Sequence, residues 1–155
     1  MTNEQLQDKL GKATEKLVCK TFKKFGYWCY NIPKKTAGQP CDIIAVKGLE
    51  GTVITSTMVY TTKTFLVWLV DAKHIRNEDV SFTFDRIEPN QITSMRYAHD
   101  FSKLDNLGFA IFFDRDKQLR WLPFEEYERM VANGSKSVNM NNLELFTEVL
   151  AKCGQ

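Results

Sequence analysis

Apolar residues in the first part of the chain recur with the spacing of an α-helix. Over residues 3–25 they return every three or four positions, which places them on one face of the helix: Leu6, Leu10, Ala13, Leu17, Thr21, Phe22 and Phe25. Gly26 follows directly and is suited to a helix end, because glycine readily adopts a left-handed backbone. The pattern predicts one long amphipathic helix.

Apolar and β-branched runs in the middle of the chain predict strands. They cover residues 27–32, 42–46, 52–60 and 64–72, and the last two could form a hairpin across Thr61-Thr62-Lys63. The run from Phe65 to Val70 shows no alternation of apolar and polar residues, which is typical of a strand buried on both faces.

The second half of the chain alternates between the two periodicities. Residues 81–84 are predicted to be a connector, followed by a helix from Pro89 to about residue 102, since proline suits the first helical turn. Strands are predicted at 107–113 and 119–122 with a turn at 114–116 between them, and closing helices at 125–132 and 142–151. Strands that alternate with a crossover helix predict an α/β fold, a mixed central sheet flanked by helices, in a single domain of residues 1–155.

Two of the predicted strands each carry a carboxylate in apolar surroundings. Asp42 begins the strand that continues with Ile43-Ile44-Ala45-Val46, and Asp71 ends the long apolar run. Two acids buried together oppose each other's ionisation, whereas Mg²⁺ characteristically binds one or two carboxylates with water and phosphate oxygens. Lys73 lies two residues beyond Asp71 and shares its face of the strand. This combination is typical of phosphodiester hydrolysis.

Each of these residues also has a simpler interpretation. Asp42 on its own could cap a turn, and Asp71 could form a salt bridge with Lys73 at the strand end. Lys73 could instead stabilise charge on a phosphate, or orient or deprotonate the attacking water. The backbone carbonyl of Ala72 could be a further metal ligand. The sequence leaves these roles open.

Two residues on helices become candidates only beside the aspartates. Glu15 lies at the border of the apolar stripe of the first helix, and Gln91 lies two residues into the second helix. Taken alone, Glu15 is a surface glutamate, and Gln91 is a helix-start residue with local hydrogen bonds.

Charge is unevenly distributed along the chain. The net charge is +2, yet residues 1–50 carry nine Lys or Arg against five Asp or Glu, and the lysines of the first helix fall opposite its apolar face. Such a basic end can bind a polyanion, although a solvated helix face would look the same. The candidate DNA-binding residues are Lys12, Lys16, Lys20 and Lys23 on the helix and Lys34 and Lys35 in the loop between Pro33 and Pro40.

Several function classes are disfavoured. No apolar run approaches the ~20 residues that span a bilayer, and the N-terminus does not resemble a signal peptide, so we expect a cytoplasmic protein. The four cysteines form no CxxC pair, so we do not expect a zinc ribbon. Gly11-Lys12-Ala13-Thr14 resembles the end of a phosphate-binding loop but lacks its upstream glycine, which argues against a nucleotide cofactor. His74 and His99 are expected at surface or edge positions.

Taken together, these motifs resemble the PD-(D/E)xK nuclease superfamily, with its restriction-endonuclease-like fold. The matching order is Glu15 on the first helix, Asp42, then Asp71-Ala72-Lys73, then Gln91. Within that superfamily the chain is most similar to Holliday-junction resolvases of the RecU and Hjc types, on Gly11-Lys12-Ala13-Thr14-Glu15, Ser81-Phe82 with Asn90-Gln91, and Leu119-Arg120-Trp121-Leu122-Pro123.

The resemblance implies a specific chemistry. Asp42, Asp71 and the Ala72 carbonyl would bind Mg²⁺ or Mn²⁺, Glu15 and Gln91 would complete or support the site, and Lys73 would stabilise the transition state. It also implies a homodimer that cleaves branched DNA. A restriction- or repair-type endonuclease or exonuclease acting on duplex DNA, and a non-catalytic DNA-binding protein on a nuclease fold, are the alternatives.

Overall fold

A computed structural model of the chain describes residues 1–33, 39 and 41–153. Its helices and longer strands follow the predicted order, and three short strands that the sequence did not predict, at 81–83, 137–139 and 144–145, are present as well. The helices are α1 (Asn3–Lys24), α2 (Pro89–Asp100), α3 (Phe124–Ala132) and α4 (Phe146–Lys152). The strands are β1 (Trp28–Asn31), β2 (Ile43–Ile54), β3 (Val59–Ile75), β4 (Ser81–Thr83), β5 (Asn106–Phe113), β6 (Gln118–Pro123), β7 (Ser137–Asn139) and β8 (Glu144–Leu145).

The central sheet has six strands in the order β1-β2-β3-β5-β6-β8. All neighbours are antiparallel except β3 and β5, which are parallel because α2 carries the chain across the sheet between them. A small second sheet pairs β4 with β7, so the prediction that residues 81–84 are only a connector was wrong. The predicted mixed sheet flanked by helices is confirmed.

Hydrophobic cores lie on both faces of this sheet. On one face α1 and α4 pack through residues such as Phe22 and Phe146 against Trp68 of β3. On the other face α2 and α3 pack through residues such as Met95 and Tyr127. Successive residues of β3 and β5 alternate between the two cores, as the pleat of a strand requires.

The buried face of α1 differs from the predicted one. Thr14, Glu15 and Val18 are buried, whereas Ala13 and Leu17 of the predicted stripe are exposed. The other residues of the predicted stripe are buried or half-buried, so the observed face overlaps the predicted one and is shifted towards Thr14, Glu15 and Val18. This shift turns two polar side chains, Thr14 towards β3 and Glu15 towards β1.

The predicted hairpin turn at Thr61–Lys63 was wrong, because these residues lie within β3. Residues 52–54 belong to the end of β2. The turn lies at residues 55–58, where the Thr55 hydroxyl accepts hydrogen bonds from the backbone N–H groups of Thr57 and Met58. Threonines 61 and 62 are β-branched and suit an extended strand.

The hairpin of β2 and β3 extends beyond the central sheet. β1 pairs with β2 only up to Val46, and β5 pairs with β3 only from Trp68. Residues 47–54 and 59–67 thus form a two-stranded arm beyond the sheet.

Two smaller differences follow from tertiary packing. Phe65, predicted to be buried, is 68% exposed because it lies on this arm. Residues 142–151 form a helix only from Phe146, since Glu144 and Leu145 pair with β6 as the edge strand β8. None of the described helices is long and apolar enough to span a membrane.

Candidate active site

The carboxylate of Asp42 is held at the point where β2 begins. Its backbone N–H donates to the Val70 carbonyl at 3.1 Å, and its Oδ2 accepts a 2.9 Å hydrogen bond from the Ala72 backbone N–H. Because these bonds straddle Asp71 on the neighbouring strand, they place the two carboxylates side by side. The sequence predicted this juxtaposition from the strand pattern alone.

Asp71 has no solvent exposure. Its Oδ1 accepts a 2.6 Å hydrogen bond from Gln91 Nε2, and its Oδ2 lies 2.8 Å from the ammonium of Lys73. The ammonium and Oδ2 form an ion pair, but their relative orientation is not that of a hydrogen bond. Oδ2 therefore has no hydrogen-bond donor among the described residues. A buried carboxylate oxygen without a hydrogen-bond donor has its charge only partly compensated, which favours a further positively charged partner.

The Gln91 side chain is held in one orientation by three groups. Its Oε1 accepts from the backbone N–H of Glu88 at 3.1 Å and from Lys73 Nζ at 3.4 Å, so its Nε2 must face Asp71. The bond with Glu88 is part of a capping box at the start of α2. The start of this helix therefore positions an amide against the buried acid.

Burial strongly perturbs the ionisation of Asp42. Removal from water, followed by the charge of neighbouring Asp71, raises the pKa of Asp42 from 3.8 to about 7. The N–H of Ala72 and the charge of Lys73 oppose this shift but do not overcome it. The pair is thus electrostatically unfavourable when both acids are ionised, and a cation between them would relieve the repulsion.

Glu15 reaches the same region from α1. Its side chain is buried, at 5% exposure, and its Oε2 accepts a 3.0 Å hydrogen bond from Asn31 Nδ2 of β1. Across the described part of the chain, no three His, Cys, Asp or Glu side chains converge in a way that would bind one metal ion. The geometry therefore places Glu15 in the site, but not in a three-carboxylate ligand set with the two aspartates.

Ala72 contributes backbone groups to the site. Its N–H points to Asp42, and in an extended strand the carbonyl of a residue points to the same side as its N–H. The backbone pairing between β2 and β3 ends at Ile43 and Val70. The edge of β3 that carries the N–H and carbonyl of Ala72 therefore faces the cavity and not another strand.

These groups line one open cavity of about 400 Å³. Every residue predicted for the site is present: Glu15, Asp42, Asp71, Ala72, Lys73 and Gln91. Four further lining residues were not predicted, namely Gly11, Gln39, Glu88 and Asn90. Gly11 and Asn90 stand in the motifs that carried the resemblance, whereas the positions of Gln39 and Glu88 depend on tertiary structure. Asn31, which bonds to Glu15, had no sequence signal.

The lysines of α1 form an exposed basic face. Lys12, Lys16, Lys20 and Lys23 are all exposed, and Lys12 also pairs with Asp8 at 2.6 Å. The last three line a shallow groove together with Asn31, so the groove adjoins the Glu15 contact. Lys34 and Lys35 lie outside the described residues.

His74 is more buried than predicted. Its Nδ1 lies 3.0 Å from the Thr14 hydroxyl and its Nε2 lies 3.1 Å from Asp114 Oδ1. It therefore ties α1 to β3 and to the turn after β5, immediately beside Lys73. His99 is half-buried on α2 and contacts Asp100.

Comparison with known proteins identifies the fold. No protein-family model matches the chain, and no curated protein matches its sequence. Among solved structures, the Holliday junction resolvase Hjc of Archaeoglobus fulgidus aligns at a TM-score of 0.56 and 14% identity, over 94% of this chain and 98% of that chain. This chain has the Hjc fold.

A viral protein has a similar structure. D212, a nuclease from a fusselovirus, aligns at a TM-score of 0.50 and 10% identity, over 97% of this chain and 92% of that chain. At these identities the likeness establishes a shared fold, and it confirms the predicted fold class.

Proposed function

We propose that this protein is a metal-dependent DNA endonuclease and, more specifically, a Holliday-junction resolvase that binds Mg²⁺ or Mn²⁺. The observation that carries the proposal is the environment of Asp71. A fully buried carboxylate, with one oxygen lacking a hydrogen-bond donor among the described residues, lies beside a second acid and a lysine in an open polar cavity. The shared fold with a resolvase and a viral nuclease supports the same reading.

The donor atoms of the site suit a hard divalent cation. Asp42 and Asp71 would be its carboxylate ligands and the Ala72 carbonyl a third oxygen ligand, with Glu15 beside them. The raised pKa of Asp42 supports this assignment, because it reflects first the burial of the carboxyl group and then repulsion by Asp71, and a bound cation would offset both effects. When bound, the ion would supply an activated water and neutralise charge on the phosphate.

The protein groups would each have a separate task. Gln91 holds Asp71 in position through its 2.6 Å hydrogen bond. Lys73 is only 15% exposed, and its ammonium lies within the cavity, so it would stabilise negative charge that develops on the scissile phosphate. The Ala72 N–H would hold the Asp42 carboxylate in position through its 2.9 Å hydrogen bond.

The substrate would approach along α1. The groove that Lys16, Lys20 and Lys23 line adjoins Asn31, which bonds to Glu15 of the cavity. Lysines along such a groove would contact backbone phosphates, which positions DNA without reading its sequence.

An exposed apolar patch supports a homodimer. Trp28, Tyr30 and Phe65 are 62%, 47% and 68% exposed, and register pairs them with residues 46, 44 and 48 of β2, so all three lie on one sheet face. Ile54 and Val59 extend this face to the tip of the arm. These five residues are the arm patch.

The size and charge of the arm patch favour a second copy of the chain as its partner. At ~150–250 Å² for each fully covered aromatic side chain, the exposed fractions of Trp28, Tyr30 and Phe65 amount to about 270–440 Å², which is one third to one half of the ~800 Å² that each partner of a stable dimer buries. The charged residues of the arm are Lys47, Glu50 and Lys63, and the last two pair with each other at 3.6 Å. A nearly neutral surface attracts a polyanion poorly.

Two-fold symmetry connects this dimer to branched DNA. Two identical sites related by a two-fold axis match the symmetry of a four-way junction, whereas a single strand offers no such matched pair of targets. We therefore expect paired nicks of like polarity across a junction.

The test is cleavage of labelled DNA of three shapes. Four-way junction, linear duplex of the same sequence and single strand are each incubated with the protein, with and without Mg²⁺, alongside Asp71→Asn. Metal-dependent junction cleavage that excess duplex does not compete away supports the proposal. Equal cleavage of duplex and junction would leave a nuclease and remove the resolvase assignment. Binding without cleavage under every metal condition would leave a DNA-binding protein on this fold.

A further inference from the structure

Two cysteine thiols are in contact between α1 and β1. Cys29 Sγ lies 2.7 Å from Cys19 Sγ. Cys19 lies one helical turn after Glu15, and Cys29 lies two residues before Asn31 on the same face of β1. The thiol pair therefore joins the same two elements as the hydrogen bond between Asn31 and Glu15.

The pair is accessible to small reagents. Both cysteines are half-buried, and they line the groove that also contains Lys16, Lys20 and Lys23. Cationic surroundings favour a thiolate, which is the reactive form of cysteine. The hydrogen bond from Cys29 and then the charge of Lys23 lower the pKa of Cys19, whereas the same hydrogen bond and burial raise the pKa of Cys29.

The other two cysteines provide a contrast within the same chain. Cys41 is buried at the start of β2, where burial raises its pKa to about 12. Cys153 is half-buried after α4, and burial raises its pKa too. Neither environment favours a reactive thiolate.

We propose that Cys19 and Cys29 form a redox-active dithiol site, which a peroxide oxidises to a disulfide within the folded protein. This inference does not depend on the proposed function. It assigns a covalent modification to the α1–β1 contact, and the crosslink would join the two elements that carry Glu15 and Asn31.

The reaction balances as two steps. The Cys19 thiolate attacks one oxygen of hydrogen peroxide, so that an S–O bond forms, the O–O bond breaks and hydroxide leaves and is protonated to water. The sulfur of Cys29 then attacks the Cys19 sulfur, an S–S bond forms, and the S–O bond breaks with loss of a second water. In total, two thiols lose two electrons and two protons, and one peroxide becomes two waters.

The experiment treats the reduced, folded protein with hydrogen peroxide in the absence of denaturant. We expect the four thiols to fall to two, the intact mass to fall by two hydrogens, and peptide mapping to link Cys19 with Cys29. The melting temperature should rise by about 5–10 °C, because the crosslink restricts the unfolded chain, and dithiothreitol should reverse the rise. Cys153→Ser should behave as the wild type, whereas Cys29→Ser should not form the crosslink.

Several outcomes would overturn the proposal. They are a disulfide that includes Cys41 or Cys153, oxidation of Cys19 to sulfinic acid without a crosslink, or a Cys19–Cys29 bond that forms only in denaturant. Peptide mapping of the wild-type protein distinguishes them, so the result does not depend on whether a cysteine variant folds.

Discussion

The Gln91 side chain donates a 2.6 Å hydrogen bond to Asp71, a residue on a different element and 20 positions earlier. The same amide accepts from the backbone of Glu88, so the N-terminal cap of α2 is linked directly to the buried acid at the end of the β3 apolar run. A substitution in this cap would therefore alter the position of the Asp71 carboxylate, the candidate metal ligand.

Asp71→Asn should abolish cleavage while DNA binding persists. The substitution removes a charged metal ligand, and we expect a loss of roughly two orders of magnitude or more in rate. It also relieves repulsion with Asp42 but removes the ion pair with Lys73, and these effects on the free energy of unfolding oppose each other. Single-turnover cleavage and filter binding at matched protein concentration measure the two properties. Full activity would eliminate the proposed metal site.

Gln91→Ala should reduce cleavage by about 10–100-fold, since Asp71 and Lys73 lose the group that orients them. Thr93→Ala is the matched control, because Thr93 lies on the same helix, is exposed, and bonds only its own helix backbone at Pro89. Activities should be compared after circular dichroism has confirmed that both variants fold. Equal rates for the two variants would remove Gln91 from the site.

The metal-free protein should become less stable as the pH rises from about 5 to 8, by an amount that depends on Asp42. In the folded state the pKa of Asp42 is raised to about 7 from its ordinary 3.8. The folded state therefore binds a proton more tightly, and this stability is present at low pH and lost as the pH rises through about 7. Relative to Asp42→Asn, the wild type should lose on the order of 1–3 kcal/mol over this range.

Thermal melts of both proteins in a chelator measure this difference. Added Mg²⁺ should restore the stability of the wild type at pH 8, because a cation favours the ionised carboxylates. If the difference between the two proteins does not vary with pH, the combined effect of burial and of neighbouring Asp71 does not raise the pKa of Asp42 as described.

Replacing Lys16, Lys20 and Lys23 by alanine should weaken binding to DNA of every shape. Each lost phosphate contact reduces the slope of log affinity against log salt by about one, so the slope should fall by up to about three. Alanine at Lys103, Lys117 and Lys136 is the control, since these lysines are exposed but lie outside α1. An unchanged slope would show that the α1 lysines form only a solvated helix face.

Phe65→Glu should dissociate a homodimer. A charge in the arm patch would be buried without a partner in each copy, which opposes association strongly. Phe101→Glu is the matched control, because Phe101 is 72% exposed at the end of α2, away from the arm. Sedimentation velocity over a range of concentrations gives the oligomeric state. A wild-type monomer would remove the arm patch as a dimer surface and, with it, the symmetric mode of junction cleavage.

Local patterns in the sequence were sufficient to predict the four helices, most strands of the central sheet and most of the residues that line the candidate cavity. The strand that follows Asp42 and the apolar run that ends at Asp71 identified one half-buried and one buried carboxylate, and Lys73 followed from the two-residue period of a strand. Pro89 marked the start of α2, where it was observed. These features depend on spacing over a few residues, which the sequence displays directly.

Only the tertiary structure decided how these elements face one another. Thr55–Met58 and Thr61–Lys63 are both plausible turns, and the choice between them depends on the register of β2 against β3. The orientation of α1 that buries Glu15 depends on packing against the sheet, as does the contact between Cys19 and Cys29. Register and rotation are determined by contacts between residues far apart in the chain, and a periodicity of two or 3.6 residues carries no information about them.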